Sequence, residues 1–391
     1  MRILYLNVVV DYSSTGRLVR DLAEGSKNQG HQVKILYGRK SSNKDEDTVF
    51  VGNKVETAFH GLMTKIFGRH GLHSSQSTQR IIKEIKKFNP DIIHLHNLHG
   101  YWVNVPMLLG FLKEYNKPIV WTLHDFWMIS GSAANFHYYG CKEWNEGCVI
   151  NNHPSLYPGS YFIKRQRKNF KWKKDILSSM NNIHYITVSK WQKEEFNKSF
   201  LNNKPIDHIY NGIDLNVFQY KNKKIKSSLN LLAVANDWKE SKGLNDLLNL
   251  SKSLKSNEHL TIIGLTQKQI NQLKDYDHIT LIERTSNIEE LVSHYQEADV
   301  YLNLSYEETM GMTTVEALAC GTPCVTYDKT ALPELINDRV GAVVTVGAYD
   351  EALRMARNMN KNGLDCREYV EGLFDKNKMI MDYMSIYEST E

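Results

Sequence analysis

The sequence predicts an α/β protein of two doubly wound, Rossmann-like parallel-sheet domains facing a cleft. Three observations carry this. Short apolar, β-branched runs alternate with segments of helical period. The runs are continuously apolar rather than alternating, as strands covered by helices on both faces must be. The whole alternation restarts at Leu229, and a chain of 391 residues exceeds one ordinary core, so two domains of roughly 150 to 200 residues are expected.

In order along the chain, RILYLNVVV (2–10) reads as a strand, Leu18 to Gln29 as a helix and QVKILYG (32–38) as the next strand. DIIHLHN (91–97), PIVWTLHD (118–125) and IHYITVS (183–189) continue that sheet. Asn211-Gly212 is a turn signal, and the lysine-rich run after Phe218 has no periodicity, so residues 1–216 are expected as the first domain and 217–228 as a linker. The second domain, 229–374, holds LNLLAVAND (229–237), a helix near Asn245 to Ser253, HLTIIGL (259–265), HITLIER (278–284), a helix near Glu289 to Glu297, ADVYLNLS (298–305) and TPCVTYD (322–328). Residues 375–391 recover a helical period after the second sheet is complete, and that helix is expected to cross back onto the first domain.

Composition narrows the classes. With 41% hydrophobic and 24% charged residues the chain reads as soluble and globular. No apolar run approaches the ~20 residues needed to span a bilayer. An Asp follows the first apolar run at once and no small-residue cleavage site appears, so the start reads as a buried strand rather than a signal peptide, and a cytoplasmic location is expected. Five cysteines (Cys141, Cys148, Cys320, Cys324, Cys366) argue against a disulfide framework and for a reducing compartment. A net charge of +4 is too small to imply nucleic acid.

The stretch EETMGMTTVEALACGTP (307–323) carries the chemistry. A strand ends near Ser305, Glu307 to Met312 form a loop, and Thr313 to Ala319 read as the following helix. Gly311 lets the backbone approach a ligand, and the free amides of Met312 to Val315 face outward with the positive end of the helix dipole, which suits a diphosphate. Glu316, about one turn inside the helix, could accept hydrogen bonds from two neighbouring hydroxyls, as in a ribose. Glu308 stands on the loop, on the other side of the diphosphate. A nucleotide-sugar has a hydroxyl-rich ring at each end of a diphosphate, one for each carboxylate. Two glutamates eight apart arise by chance in most long chains; the glycine between them, the strand before, the helix after and the ACGTPCV tail make the pattern specific.

The stretch resembles the Glu-x7-Glu signature of the retaining nucleotide-sugar glycosyltransferases of family four, which have the two-domain GT-B fold. The resemblance places Lys242-Gly243 of LAVANDWKESKGLNDLL at the diphosphate. The Arg common in that turn is missing: Asn236 and Asp237 occupy the region, and Lys239 is a weak substitute. HIYNGIDLNVF (208–218) resembles the segment closing the family's first domain, with Asn211-Gly212 as the turn and Phe218 as an anchor. His124 matches the histidine that reaches the donor hexose, with Asp125 as its orienting partner. Gly16 of DYSSTGRLVRDL survives from a Gly-Gly pair, beside Ser14, Thr15 and Arg17, and Arg284 lies where relatives pack a residue against the base.

The resemblance thus implies Glu308, His124 and Lys242 as catalytic, and Glu316, Gly311, Met310, Met312, Thr313, Thr314, Asn236, Arg284 and Gly16 as donor-binding. It implies no cofactor and no metal: Lys242 and the amides at Thr313 and Thr314 would meet the departing diphosphate. His94 and His96 share a strand face, but no third ligand follows at metal spacing, and Cys141 and Cys148 of GCKEWNEGC lack the further cysteines of a zinc site. That loop reads as an acceptor-side flap.

YFIKRQRKNFKWKKD (161–175) has seven Lys or Arg among the eleven residues from Lys164 to Lys174. Two readings stand: a helix lying on an anionic membrane leaflet, or a solvated helix with Phe162, Ile163 and Phe170 packed inward. Nucleic acid is not an expected partner, since no reading module accompanies the charge.

The implied function is transfer of a hexose-type sugar from a nucleotide diphosphate sugar, UDP favoured over GDP, to a hydroxyl of a glycan or lipid-linked acceptor, with retention, in bacterial surface polysaccharide synthesis such as lipopolysaccharide or capsule. Two rivals are a sugar-nucleotide epimerase of the same fold and a non-catalytic nucleotide-sugar binding subunit, the latter raised by the missing Arg.

Overall fold

The computed structural model describes residues 1–39, 45–141, 157–223, 227–273, 276–360 and 362–390. The chain divides into two compact units, one made of Met1–Ile209 with Met379–Glu391 and the other of Tyr210–Lys378.

Unit 1 is built on a parallel sheet of seven strands: β1 (Arg2–Asn7), β2 (Gln32–Tyr37), β3 (Thr48–Phe50), β4 (Ile92–Leu95), β5 (Ile119–Leu123), β6 (Ile183–Thr187) and β7 (Ile206–His208). Their order is β3-β2-β1-β4-β5-β6-β7. The winding reverses between β1 and β4, where Leu6 pairs with Leu36 on one side and Leu95 on the other. In such sheets ligands bind beyond the carboxyl ends of the strands at this reversal. Apolar side chains fill both faces, with Leu4, Leu6, Trp102, Trp121 and Leu108 on one and Ile3, Tyr5, Leu22 and Ile35 on the other. The central strands are therefore largely apolar because both of their faces are covered.

The helix Lys376–Thr390 buries Met379, Ile380, Tyr383, Met384 and Tyr387 within this unit. It lies against Gly25 of the helix Ser13–Asn28, where an added Cβ would fall 2.5 Å from Ile380 Cγ2. Its tyrosines reach the sheet: Tyr387 Oη is 2.6 Å from His94 Nδ1, and Tyr383 Oη is 2.8 Å from Thr122 Oγ1.

Unit 2 repeats the plan with six parallel strands: β8 (Leu229–Val234), β9 (Glu258–Ile263), β10 (Ile279–Ile282), β11 (Val300–Asn303), β12 (Cys324–Tyr327) and β13 (Gly341–Val344), ordered β10-β9-β8-β11-β12-β13. The winding reverses between β8 and β11, so the helix Met312–Ala319 starts beside that switch point.

Three local expectations change. Asn211-Gly212 does not turn: Ile213 forms an isolated parallel bridge with Asp375, and a Cβ on Gly212 would come within 2.6 Å of Lys376 Cα. The glycine is needed for that approach rather than for a turn. The stretch expected as a linker is fastened to unit 2 as far as Lys223: Arg367 Nη1 donates to Phe218 O at 2.8 Å, and Lys223 Nζ to Ala298 O at 2.6 Å. Its residues 224–226 lie outside the described residues. In the basic segment the helix begins only at Gln166; Phe162 and Ile163 precede it and are exposed, whereas Phe170 and Lys173 are buried.

Cys320, Cys324 and Cys366 are free and buried, while Cys141 is disulfide-bonded, a bond that the expected reducing compartment does not favour. Cys148 and most of the loop read as a flap lie outside the described residues. Among the described residues no helix is long and apolar enough to cross a membrane.

Candidate functional site

In unit 2 the glutamate-rich stretch leaves the end of β11. Gly311, at φ +88°, caps the helix Met312–Ala319 in the left-handed region, and a Cβ there would meet Leu332 Cδ2 at 2.9 Å. Glycine therefore answers both a conformational and a packing demand. The helix starts one residue earlier than expected. Of the amides assigned to a phosphate, that of Thr314 is already engaged, donating to Gly311 O at 3.0 Å, while its buried hydroxyl accepts from Asn303 Nδ2 at 2.9 Å. Thr314 is thus a structural residue. Among the described residues the amides of Met312, Thr313 and Val315 have no backbone partner outside the helix, and the first two, at the helix start, are the ones placed to meet an anion.

Lys242 ends a single 3-10 turn, Glu240–Lys242. Gly243, at φ +75°, follows it so closely against β11 that a Cβ would lie 2.0 Å from Leu304 O. Tyr306 N–H donates to Ser241 O at 2.8 Å and locks the turn to the next loop. The result is direct contact between two predicted residues 66 apart: Lys242 Nζ is 2.6 Å from Glu308 Oε1. Ser305 Oγ also donates to Glu308 Oε1 at 3.1 Å, and the Glu308 amide donates to Thr330 Oγ1 at 2.9 Å. Behind the pair, Asp246 Oδ2 accepts from the hydroxyls of Tyr306 at 2.7 Å and Tyr327 at 2.6 Å. None of these supports was foreseen, because no local pattern links a tyrosine to an aspartate 60 or more residues away.

Glu316 is buried, and its Oε2 accepts from Tyr295 Oη at 2.8 Å. Burial, reinforced by the Glu316 charge, pushes the Tyr295 hydroxyl well above its ordinary range, so it stays a donor. The carboxylate is thereby held in one orientation. Arg284 Nη2 lies 3.3 Å from Asn236 Oδ1, which brings two predicted residues together at the ends of β10 and β8. Lys239 pairs instead with Asp237 at 3.3 Å. The Met310 side chain turns inward, 3% exposed, and its sulfur accepts from the Asn211 amide at 3.2 Å. It packs the loop and does not face a ligand.

In unit 1, His124 directly follows β5. Its Nε2 is 3.0 Å from His96 Nδ1, with the rings stacked at 5.3 Å. Burial lowers its pKa to about 4 against the opposing pull of Asp125, so the ring is neutral at neutral pH. Asp125 does not orient His124. It bonds His99 Nε2 at 2.6 Å and the Trp127 amide at 2.9 Å, making His99 the oriented imidazole. His94 uses both ring nitrogens, on Tyr387 and Thr122, and so is not half of a metal pair with His96. Gly16 is buried in the first turn of its helix, where a Cβ would stand 3.2 Å from Val9 Cγ2 and 3.3 Å from the Asp11 amide. It permits that packing, while Ser14 and Arg17 are exposed beside it.

A family model described as Glycosyltransferase Family 4 matches residues 15–217, and one described as Glycosyl transferases group 1 matches residues 218–371. A relative assigned by name to colanic acid biosynthesis, the glycosyl transferase WcaC of Escherichia coli, is 26% identical over 233 residues, 55% of each chain. The present chain thus spans about half the length of that relative. Among solved structures, sucrose-phosphate synthase of Thermosynechococcus elongatus has a TM-score of 0.72 at 16% identity, covering 99% of this chain and 98% of that one. HepE of Anabaena, in complex with UDP and glucose, has a TM-score of 0.66 at 14% identity, with all of both chains covered. At these identities the structures speak for the fold.

Proposed function

The chain belongs to glycosyltransferase family 4 and has the GT-B fold, and from that premise we propose that it moves a hexose-type sugar from a UDP-sugar to a hydroxyl of a glycan or lipid-linked saccharide, with retention, in bacterial surface polysaccharide synthesis. The observation that carries this reading is the Lys242–Glu308 contact of 2.6 Å on the loop leading to Gly311. A cation and an acid held together on the loop that leads to helix amides without backbone partners match a diphosphate with a sugar attached. HepE, solved with UDP and glucose, supports UDP as the carrier, and the name of WcaC supports a surface polysaccharide.

In this reading Lys242 and the amides of Met312 and Thr313 take up the charge that develops on the departing diphosphate. The charge is met by the chain itself, so no metal and no cofactor is assigned. Glu316, oriented by Tyr295, accepts from the ribose hydroxyls, and Arg284 with Asn236 borders the base. Glu308 accepts from the sugar hydroxyls and does not attack the sugar. The leaving phosphate takes the acceptor proton on the face it departs from, which retains the configuration. His124, neutral through burial, is the proposed partner of a hexose hydroxyl in unit 1. The reaction is assigned to the cytoplasmic side.

A thermal-shift screen of UDP, GDP and their sugars tests the donor, since a ligand stabilises the state that binds it. Stabilisation by UDP-sugars, followed by transfer to a saccharide acceptor, is the expected result. Interconversion of free sugar nucleotides without acceptor would instead establish the epimerase. Donor binding without turnover on any acceptor would establish a binding subunit.

A further inference from the structure

The helix Lys54–Phe67 in unit 1 is built inside out. Its buried residues are His60 and Thr64. Val55, Phe59, Leu62 and Phe67 are exposed instead, Val55 at 77% and Leu62 at 53%. Residues 55, 59 and 62 are spaced by four and three, so they form one stripe on one face. A helix in water is expected to show the reverse arrangement.

The stripe does not end with the helix. Tyr161 N–H donates to Lys65 O at 2.7 Å and Ile163 N–H to Ile66 O at 3.0 Å, so the turn carrying Phe162 and Ile163 is fastened to the last turn of the helix. Gly68, at φ +62°, makes this possible, since a Cβ there would lie 2.9 Å from Ile163 O. Asn169 Nδ2 closes the joint on Gly68 O at 2.9 Å. Phe162 is 77% exposed and Ile163 51%. Two segments 100 residues apart in sequence thus form one apolar surface.

The exposed charges of these two segments have one sign. Lys54, Lys65, Lys164, Arg167 and Lys168 are exposed there, and none forms an ion pair with a described residue. The acid of the helix, Glu56, is turned away: its carboxylate accepts from the amides of Gln76 and Ser77 at 2.9 Å each. Aromatic and branched side chains ringed by unpaired cations complement an anionic lipid leaflet, the apolar groups entering the acyl boundary and the cations meeting the headgroups. A soluble acidic partner would satisfy the cations and leave the apolar stripe in water.

We propose that this surface, the outer face of Lys54–Phe67 together with Phe162 and Ile163, docks the protein on an anionic membrane leaflet. The basic helix beyond Gln166 contributes charge only, since its apolar Phe170 is buried. The docking deepens the lipid-linked acceptor reading above by giving the enzyme access to a substrate held in the membrane, but it does not depend on the transferase chemistry.

Co-sedimentation of the full chain with phosphatidylcholine vesicles, with and without phosphatidylglycerol, tests it. Binding is expected only with phosphatidylglycerol, falling as salt rises. The double variant Phe162→Ser, Ile163→Ser and the double variant Phe59→Ser, Leu62→Ser should each lower the bound fraction about ten-fold or more, and because all four side chains are at least half exposed the fold should be retained, which circular dichroism checks. Both should retain wild-type turnover on a water-soluble acceptor. No vesicle binding by the wild type, or unchanged binding by both variants, overturns the proposal. So does concentration-dependent self-association without vesicle binding that both variants abolish, which would make the stripe a contact between copies. Vesicle binding by a protein with no transferase activity leaves this surface standing and removes the transferase reading.

Discussion

The two units wind their strands in the same order about β1 and β8, yet they treat buried polar groups differently. In unit 2 the acids of the candidate site have defined partners: Glu308 on Lys242, Glu316 on Tyr295, and Asp246 on Tyr306 and Tyr327. In unit 1 the buried polar side chains that carry a basic group are mostly histidines: His60, His70, His94 and His96, with Lys173. Twelve of the fifteen lie before Tyr210, and His60, His70, His94, His96 and His124 all have pKa values lowered chiefly by burial. His70 has no hydrogen-bond partner on either ring nitrogen among the described residues. Lys173, buried with its ammonium group against Ser130 O and the Trp127 ring, is likewise pushed toward the neutral form by desolvation. A paired carboxylate is oriented for a ligand, whereas an imidazole buried without an acid is a neutral group whose protonation opposes the fold.

Variants and acid can each break this contrast. The largest effect is expected at the paired site. Lys242→Ala should lose about 2 to 4 kcal/mol of transition-state stabilisation, read as a fall in kcat/KM. Glu308→Gln should lower turnover more than it weakens nucleotide binding, measured by initial rates beside calorimetry with UDP. Wild-type rates in both variants would remove the proposed chemistry from unit 2.

Acid should act on the other unit. The folded pKa of His124 is about 4, below its unfolded value of about 6.5, so between these values the unfolded chain binds more protons. Stability is therefore complete above pH 6.5 and is lost as pH falls from about 6.5 toward 4, with His60, whose folded pKa is about 3, adding loss in the same direction. A loss on the order of 2 kcal/mol from His124 alone is expected. Hydrogen exchange at pH 7 and at pH 4.5 should show protection falling first in residues 1–209; an even fall across both units would refute the contrast.

The smallest effect sharpens the picture of an oriented acid. Tyr295→Phe removes one hydrogen bond from Glu316 and should weaken UDP binding by about 1 kcal/mol. Glu316→Gln should weaken it further, and the double variant should match Glu316→Gln within error if Tyr295 acts only through that carboxylate. Additive losses would show that Tyr295 has another role.

Much of the candidate site could be read from local pattern. Gly311, Lys242-Gly243 and the two glutamates lie at turns where a strand end meets a helix start, and such turns are short enough to show in sequence. The supports could not be read this way. Tyr295, Tyr306 and Tyr327 look like ordinary aromatic core residues, and only their hydroxyl partners set them apart. Adjacency in the chain suggests Asp125 as the partner of His124. At a strand end, however, successive side chains point to opposite faces, and Asp125 finds His99 from the adjacent loop. Phe162, Ile163 and Phe170 share one segment of sequence, but the helix begins after the first two.

From sequence alone came the two parallel sheets, their restart at Leu229, and the reaction family, because strand period, helix starts and glycine turns depend on residues a few positions apart. Only the tertiary structure decided which acid meets which cation, which histidine is oriented, and that one helix turns its apolar face outward. Those outcomes depend on distances between segments from 26 to about 100 residues apart in the chain, and no periodicity within a segment records what the fold will set against it.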